Sequence, residues 1–330
     1  MHGLLAGCSV MKVLMVGRKP SIALEDLRKY WGEVDVSTGF TWKMKPYDLV
    51  IAQEPTLRIG ISALAQAKLT GAALICEVHS NYLQKGFLPT KDLLAAKIVL
   101  RSSDLVRAVS NQIAGILKSW GLRHIIVIPS IYIKLEQFRP LTTHSERGPV
   151  VLSISRLVSQ KGLDLLIDAV PYVLKAFHSL DVRIVGDGPE RARLEALVQR
   201  RGLENVVRFF GWVDQDELVK HYNEAAVFVC TSLHEGGPRT VFEAAACQTP
   251  FVSTAVGLVP EVFTHGREGF IIQERNSMLL AQHVLQLLEN PALRQEMGVR
   301  GREVVESRFE WNKAVRRYAE AYLKIFEKDV

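Results

Sequence analysis

Short strand-like and helix-like segments alternate along almost the whole chain, and no other feature constrains the fold as strongly. The strand-like segments are apolar runs rich in Val and Ile, whereas the helix-like segments repeat apolar residues at helical spacing. The first half contains predicted strands at 12–16, 34–37, 49–52, 73–78, 105–110 and 125–128. Predicted helices accompany them at 22–30, 57–69, 91–100 and 111–120. This alternation predicts a parallel sheet with helices on both faces.

The same pattern then runs through a second time. The second half contains predicted strands at 150–154, 182–185, 207–210, 227–231, 251–253 and 269–272. The predicted helices between them are 162–177, 190–200, 215–224 and 239–247, and the C-terminal 40 residues are helical, ending in 311–326. The chain therefore predicts two parallel sheets rather than one large sheet.

A polar stretch at 138–149 interrupts the alternation, since it is bracketed by prolines and lacks periodicity. We therefore predict an N-terminal acceptor-side domain over 1–140, with residues 1–10 as a disordered extension, and a nucleotide-binding domain over 149–310. A terminal helix in 311–330 is expected to pack back on the first domain. The predicted fold class is α/β, with two Rossmann-like, doubly wound parallel-sheet domains facing across a cleft. In such sheets ligands bind outside the carboxyl ends of the strands.

The composition is that of a globular protein, with 48% hydrophobic and 23% charged residues. No apolar run reaches the roughly 18 residues that a membrane span needs. The cysteines are scattered without metal-ligand spacing, and most lie in apolar runs, which favours reduced core thiols: Cys8, Cys76, Cys230 and Cys247. The first residues lack the basic start of a signal peptide. We expect a cytoplasmic protein without a metal site.

Positive charge is concentrated in the first half. Residues 1–148 hold 19 Lys and Arg against 11 Asp and Glu, a formal charge of +8, whereas 149–330 hold 22 against 24, a charge of −2. A basic surface attracts anionic membranes, phosphorylated acceptors or nucleic acid, unless it is only a solvated face. The segment 82–91 mixes lysines with Phe87 and Leu88, as a membrane-touching loop does, although packing against the domain is the slightly favoured alternative. We expect peripheral contact with the inner face of the membrane, and no nucleic-acid binding, because no aromatic platform accompanies the charge.

Two carboxylates flank a glycine turn in the second half. Glu235 precedes the turn, and Glu243 lies about a turn and a half inside the helix that follows. Gly236 and Gly237 provide free dihedrals, and Pro238 suits the start of a helix, whose unpaired amides bind anions. A ligand with hydroxyls at both ends and a diphosphate between them, such as a nucleotide sugar, fits this arrangement. The alternative is that Glu243 is an ordinary solvated helical residue.

Two cations follow the first strand of the second half. Arg156 and Lys161 lie in a loop at a strand's carboxyl end, where Arg forks onto phosphate oxygens and Lys adds a point charge. Such charges stabilise a departing diphosphate without a metal, although this motif taken alone favours two plain surface cations. The turn that begins at Gly186 is a weaker signal, since a tight turn starting a helix needs the same glycine.

These motifs together resemble the group 1 retaining glycosyltransferases of the GT-B fold, which carry a Glu-x7-Glu signature. The resemblance covers roughly residues 100–330 and rests on five ordered motifs, at 155–162, 186–189, 210–213, 235–244 and 256–261. Position 155 is Ser where the family has Gly, and the last loop has one glycine where two are usual. The family implies a nucleoside-diphosphate sugar as donor substrate, no cofactor and no metal.

The resemblance also implies a role for each matching residue. Arg156 and Lys161 would hold the diphosphate, Glu235 the hydroxyls of the sugar, and Glu243 those of the ribose. Backbone near Val213 would touch the base, and backbone near Gly186, Gly236 and Gly237 would approach the donor. The residues that begin the helix complete the predicted donor site: Pro238, Arg239 and Thr240.

The first half resembles the family less closely. His79 ends a predicted strand, where relatives place a histidine against the sugar at the reaction centre, although a lone histidine there is more often structural. The family's glycine-rich loop after the first strand is reduced to Gly17, beside Arg18 and Lys19, which would face a charged acceptor. The run before the linker, 129–133, also departs from the family. These differences leave the acceptor open, as a saccharide or a lipid-linked molecule.

Two other functions remain open at this point. One is another enzyme of the same fold, a sugar phosphorylase or a nucleotide-sugar epimerase. The other is an inactive nucleotide-sugar-binding protein, which the intact set of two cations and two carboxylates disfavours. A nicotinamide dehydrogenase fits poorly, since no GxGxxG follows the first strand.

Overall fold

The computed structural model describes residues 10–17, 23–38, 45–80 and 89–326 of the 330. Within them the chain forms two compact units. The first contains the described residues up to Ser130 and those from Asn312 onward, and the second is Ile131–Trp311. Each unit is built around its own six-stranded sheet.

The first unit contains a sheet whose strands all run parallel, in the order β2-β1-β3-β4-β5-β6. Its strands are β1 (Met11–Val16), β2 (Gly32–Ser37), β3 (Leu49–Ala52), β4 (Ala73–Val78), β5 (Leu105–Ala108) and β6 (Ile125–Val127). Its helices are α1 (Leu24–Trp31), α2 (Gly60–Thr70), α3 (Thr90–Ser102), α4 (Asn111–Ser119) and most of α12 (Trp311–Leu323). The strand order reverses between β1 and β3, where a doubly wound sheet binds ligands.

The second unit repeats this architecture, with the strand order β12-β11-β10-β7-β8-β9 and all pairs parallel. Its strands are β7 (Val150–Ile154), β8 (Asp181–Val185), β9 (Val207–Gly211), β10 (Val227–Cys230), β11 (Phe251–Thr254) and β12 (Gly269–Ile272). Its helices are α5 (Asp164–Leu174), α6 (Arg191–Arg200), α7 (Gln215–Glu224), α8 (Arg239–Ala246), α9 (Val259–Val262), α10 (Ser277–Glu289) and α11 (Pro291–Arg308), with a 3-10 turn at Ser159–Lys161. The order reverses between β7 and β10.

Burial on both faces explains why the central strands read as continuous apolar runs. All residues of β3, β7 and β10 are buried. Helices cover the faces with one apolar side each; in α1, for example, Leu27 and Trp31 are buried between exposed charged residues.

The predicted fold class is confirmed, and every predicted strand is present within two residues of its expected ends. Helix ends were predicted less well: the helix expected over 162–177 begins at Asp164, because the 3-10 turn and Gly162 precede it. The helices α9 and α10 were not predicted; α9 has only four residues, which carry no periodic signal. The predicted domain limits remain a prediction, and the expected extension lies almost wholly outside the described residues. Within the described part of the chain, no helix is both long and apolar enough to cross a bilayer.

Candidate functional site

The carboxyl edge of the second sheet brings three of the predicted motifs together. Strands β10, β7 and β8 are neighbours, so the loops that follow them emerge side by side. The Ser155 amide donates to the carbonyl of Val185 at 3.0 Å, and the Gly186 amide donates to the carbonyl of Gly211 at 2.7 Å. The segments that follow β7, β8 and β9 are therefore hydrogen-bonded to each other at this edge.

Position 186 must be glycine because these loops lie too close together for a side chain. Its φ is +120°, and a Cβ atom built on it would lie 1.9 Å from the carbonyl oxygen of Ser155. That oxygen belongs to the backbone and has no rotamer through which to move aside. Gly186 was only a weak signal in the sequence, but the close approach of the Ser155 carbonyl explains why glycine is needed there.

Lys161 and Glu235, 74 positions apart, form an ion pair in the second unit. The Ser232 hydroxyl donates to the same Glu235 oxygen at 2.9 Å. The Thr231 hydroxyl donates to the Lys161 carbonyl at 2.9 Å, which ties the loop after β7 to the end of β10. Only 17% of the Lys161 side chain and 12% of the Glu235 side chain are exposed, so the pair is substantially shielded from water.

Arg156 lies beside this pair in sequence but differs from it in environment. Its side chain is exposed and makes no hydrogen bond or ion pair within the described residues. A guanidinium without an internal partner is available to an anion approaching the loop.

Ser155 is a polar group that the sequence comparison treated only as a departure from glycine. Its hydroxyl is buried and has no hydrogen-bond partner among the described residues. It lines a small cavity of about 10 Å³, whose other lining groups include Lys161, Ser232 and Thr240. A buried hydroxyl without a partner is unusual, and this one lies among the polar groups predicted to hold the donor.

The loop after β11 packs against the glycine turn that follows Glu235. A Cβ atom at Gly257, whose φ is +52°, would lie 2.7 Å from the Glu235 carbonyl oxygen. A Cβ atom at Gly237 would lie 3.0 Å from Leu258 Cδ1. Helix α8 then begins at Arg239, with Pro238 as its N-cap residue in an extended conformation. The turn is therefore held tightly, and its backbone leads directly into the helix start.

Glu243 is not a solvated helical residue. It is only 6% exposed, Arg239 donates to its Oε1 at 2.8 Å, and the Tyr222 hydroxyl donates to its Oε2 at 2.9 Å. Burial raises the pKa of this carboxyl, and the Arg239 charge and the Tyr222 hydrogen bond offset that effect only in part. A buried carboxylate with a raised pKa costs stability when ionised, which is typical of a residue kept for function.

The segment after β9 lies at the outer end of the same edge. Val213 is partly buried against the apolar core of this unit, whereas Trp212 is 71% exposed. This contact with the core fixes the backbone at Val213, and that backbone is predicted to face the base.

The first unit holds Gly17 and His79 at the carboxyl ends of β1 and β4. The Gly17 amide donates to the Ser37 carbonyl at 2.9 Å. His79 has partners at both ring nitrogens: its Nε2 lies 3.0 Å from Glu77 Oε2, and its Nδ1 lies 3.2 Å from the Ser130 hydroxyl. The His79 side chain is 32% exposed, so the residue is partly accessible.

Arg275 is a site neighbour that sequence reasoning missed. It follows β12, and its Nη1 donates to the Thr231 carbonyl at 2.7 Å while its Nη2 lies 3.4 Å from the Gly162 carbonyl oxygen. It thereby joins the loops that carry Lys161 and Glu235. A single arginine in a loop carries no periodic or spacing signal, so only the packing reveals it.

Some predictions fall outside the described residues. These are the cations Arg18 and Lys19, residues 82–88 of the loop predicted at 82–91, and Cys8. Among the residues that the structure does describe, no group of three or more His, Cys, Asp or Glu side chains is arranged to hold a metal ion.

Comparison with known proteins identifies the family. The sequence profile described as glycosyl transferases group 1 matches residues 135–304, about half of the chain. The chain belongs to the group 1 glycosyltransferases. It is therefore a nucleotide-sugar-dependent enzyme of a retaining hexosyltransferase family with the GT-B fold.

Individual relatives agree with this assignment. The chain is 31% identical to the GDP-mannose-dependent alpha-(1-6)-phosphatidylinositol monomannoside mannosyltransferase of Mycobacterium tuberculosis, over 75% of this chain and 69% of that protein. It is 26% identical to the N-acetyl-alpha-D-glucosaminyl L-malate synthase of Bacillus anthracis, over 91% and 85%. In fold it matches Anabaena HepE in complex with UDP-glucose, with a TM-score of 0.77, 20% identity, and coverage of 95% of this chain and 100% of that one.

Proposed function

We propose that this glycosyltransferase moves a sugar from a nucleoside-diphosphate sugar to an acceptor hydroxyl, with retention of anomeric configuration and without a metal. The observation that carries the proposal is the set of two cations and two carboxylates at one edge of the second sheet: Arg156, Lys161, Glu235 and Glu243. Each lies in the loop or in the helix that follows a parallel strand, at the edge where doubly wound sheets bind ligands.

The diphosphate is assigned to Arg156 and Lys161. Arg156 is exposed and unpaired within the described residues, so it meets an incoming phosphate without first losing a protein partner. Lys161 is shielded, which strengthens its field because the surrounding dielectric is lower than water. Fixed charges aimed at the departing group lower the barrier, since they need no rearrangement during the reaction.

The hydroxyl groups of the donor are assigned to the two carboxylates. Glu235 receives the sugar hydroxyls while Gly236 and Gly237 present backbone to the sugar. Glu243 receives the ribose hydroxyls. At the start of the helix that Pro238 precedes, the amides of Arg239 and Thr240 supply backbone donors. Both carboxylates already accept protein hydrogen bonds, so donor binding shares or replaces them.

The remaining predicted contacts lie around this set. Backbone at Val213 faces the base, Gly186 lets the loop after β8 approach the donor, and Gly17 is expected to lie near the phosphates. His79 contacts the sugar at the reaction centre. These roles rest on the family resemblance and on the position of each residue at a strand's carboxyl end.

The proposed chemistry is front-face transfer. Lys161 already neutralises Glu235, which makes that carboxylate a poor nucleophile for a double displacement. The leaving diphosphate and the incoming hydroxyl then lie on one face of the sugar, and a phosphate oxygen accepts the acceptor's proton as the new bond forms. Trapping a covalent glycosyl–enzyme adduct would overturn this route.

The acceptor is proposed to be a saccharide or a lipid-linked molecule. One relative's name describes a phosphatidylinositol mannoside acceptor and another an L-malate acceptor, so family membership alone does not choose between them. The charge of +8 over residues 1–148 supports a cytoplasmic enzyme with peripheral contact at the inner face of the membrane.

The test is release of nucleoside diphosphate from a panel of UDP-, GDP- and ADP-sugars, with candidate acceptors and with EDTA. We expect one base to be preferred, no loss with EDTA, and a large loss in Lys161→Ala. Lys175→Ala, an exposed lysine at the end of α5, serves as the matched control. Turnover that requires inorganic phosphate would instead indicate a phosphorylase, an epimerised donor would indicate an epimerase, and binding without turnover an inactive protein.

A further inference from the structure

We propose that Glu77 is a positioning residue that fixes which ring nitrogen of His79 carries the proton, so that Nδ1 is presented as a hydrogen-bond acceptor to the donor sugar. The inference rests on the proposed contact between His79 and the sugar. It assigns a function to a buried carboxylate that the donor site does not otherwise use.

The first step is the contact between the carboxylate and the ring. Glu77 Oε2 lies 3.0 Å from His79 Nε2, and an ionised carboxylate only accepts hydrogen bonds. Nε2 must therefore carry a proton. In neutral imidazole the other nitrogen, Nδ1, is then an acceptor.

The second step concerns the partner of Nδ1. Ser130 Oγ lies 3.2 Å from Nδ1 and also accepts a hydrogen bond from Arg107 Nη2 at 2.7 Å. Since that oxygen accepts from the arginine, its single proton is free to point at Nδ1. The contacts on both sides of the ring thus agree on one tautomer.

The third step is that Glu77 is held ionised although it is only 2% exposed. Burial by itself would raise the pKa of Glu77, but the Arg107 charge and the contacts with His79 and Tyr318 outweigh it and lower the pKa below its usual range. Arg107 Nη1 donates to Glu77 Oε1 at 3.0 Å. The Tyr318 and Tyr322 hydroxyls, both on α12, each donate to the same oxygen at 2.5 Å.

The consequence is a ring with one fixed and one exchangeable contact. Oε1 of Glu77 is saturated by three donors, which leaves Oε2 to hold the ring. The contact of Nδ1 with Ser130 is the longer of the two ring contacts, and it joins neutral groups, which makes it the weaker one. A sugar hydroxyl replaces the Ser130 hydroxyl at Nδ1 while Nε2 stays bound to Glu77.

The first test measures the tautomer directly in the full-length protein, by the 15N shifts of the His79 ring, assigned by comparison with His79→Gln. We expect the Nε2-protonated form in the wild type and in the control Ser130→Ala, and a mixture of tautomers in Glu77→Gln. Glu77→Asp keeps the charge beside Arg107, but its shorter side chain withdraws the carboxylate from the ring. It replaces Glu77→Gln in this test if the Gln variant does not fold, and we expect the same mixture of tautomers. Unchanged ring shifts in the variant that folds would overturn the proposal.

The second test is a double-mutant cycle in kcat with the nucleotide sugar that the release assay selects. We expect Glu77→Gln to lower kcat roughly tenfold or more, as loss of a charged hydrogen bond does, and to have no further effect in a His79→Ala background. Losses that multiply would show that Glu77 acts only on the fold. An unchanged kcat in His79→Ala alone would overturn the role of His79 itself, whereas the ring shifts would still decide the tautomer.

Discussion

Glu243 offers the sharpest prediction, because one substitution should separate binding from stability. Replacement by Gln retains the shape of the side chain and an oxygen that accepts from Tyr222 or Arg239, but it removes the charge. A hydrogen bond to a charged group contributes about 1.5–3 kcal/mol. We therefore expect the donor KM and the Kd of the matching nucleoside diphosphate to rise roughly ten- to a hundredfold, with kcat affected much less.

The same substitution should not destabilise the protein at neutral pH. A carboxyl whose pKa is raised on folding contributes stability that is present below its unfolded pKa and is lost as pH rises through the folded pKa. The Gln side chain does not ionise, so the variant keeps the stability that the wild type loses as pH rises. The Tm of Glu243→Gln minus that of the wild type should therefore be larger at pH 7.5 than at about pH 4. Calorimetric titration and differential scanning calorimetry measure the two effects, with Glu303→Gln, an exposed residue of α11, as the control. Unchanged nucleotide affinity, or a large fall in Tm at pH 7.5, would refute the reasoning.

Three further predictions concern the neighbouring loops. Lys161→Ala should lower kcat about a hundredfold or more, as loss of one transition-state contact does, but weaken binding of the free nucleoside far less; equal losses would mean that Lys161 only binds. Gly186→Ala should cost more than about 3 kcal/mol and lower the Tm clearly, because its Cβ would lie 1.9 Å from the Ser155 carbonyl oxygen at a φ of +120°; a Tm within a degree of wild type would contradict this. Arg275→Ala should raise the donor KM and lower the Tm, since it removes the donor at 2.7 Å from the Thr231 carbonyl. The control is Arg300→Ala, at a partly exposed arginine of α11, which should change neither.

Both sheets could be predicted from the sequence because central parallel strands are buried on two faces. Such strands are continuous apolar runs between polar turns, as at 49–52 and 227–230. The position of the candidate site followed as well, since loops after parallel strands emerge at one edge. This rule alone places Arg156, Lys161 and Glu235 at the same edge of the sheet.

The contacts within the site could not be predicted in the same way. The pairing of Lys161 with Glu235 depends on β7 and β10 being neighbours, and strand order is not contained in hydrophobic periodicity. The burial of Glu243 depends on Tyr222, which lies on a different helix, 21 positions away. Side-chain packing of this kind is set by the whole unit rather than by a local pattern.

The network around Glu77 shows the same limit over a longer distance. Tyr318 and Tyr322 are 241 and 245 positions from Glu77, and their spacing on α12 is that of any helix face. In sequence, Glu77 is one more residue of a buried strand. Only the folded unit shows that four donor groups converge on it.

The central claim is that the loops at the carboxyl edge of the second sheet hold a nucleoside-diphosphate sugar without a metal. The most direct measurement is calorimetric titration of the wild-type chain with UDP, GDP and ADP in the presence of EDTA. We predict saturable binding of one of them, with the same affinity when EDTA is replaced by Mg²⁺. Absence of binding to all three, or binding that appears only with the divalent ion, would contradict the account.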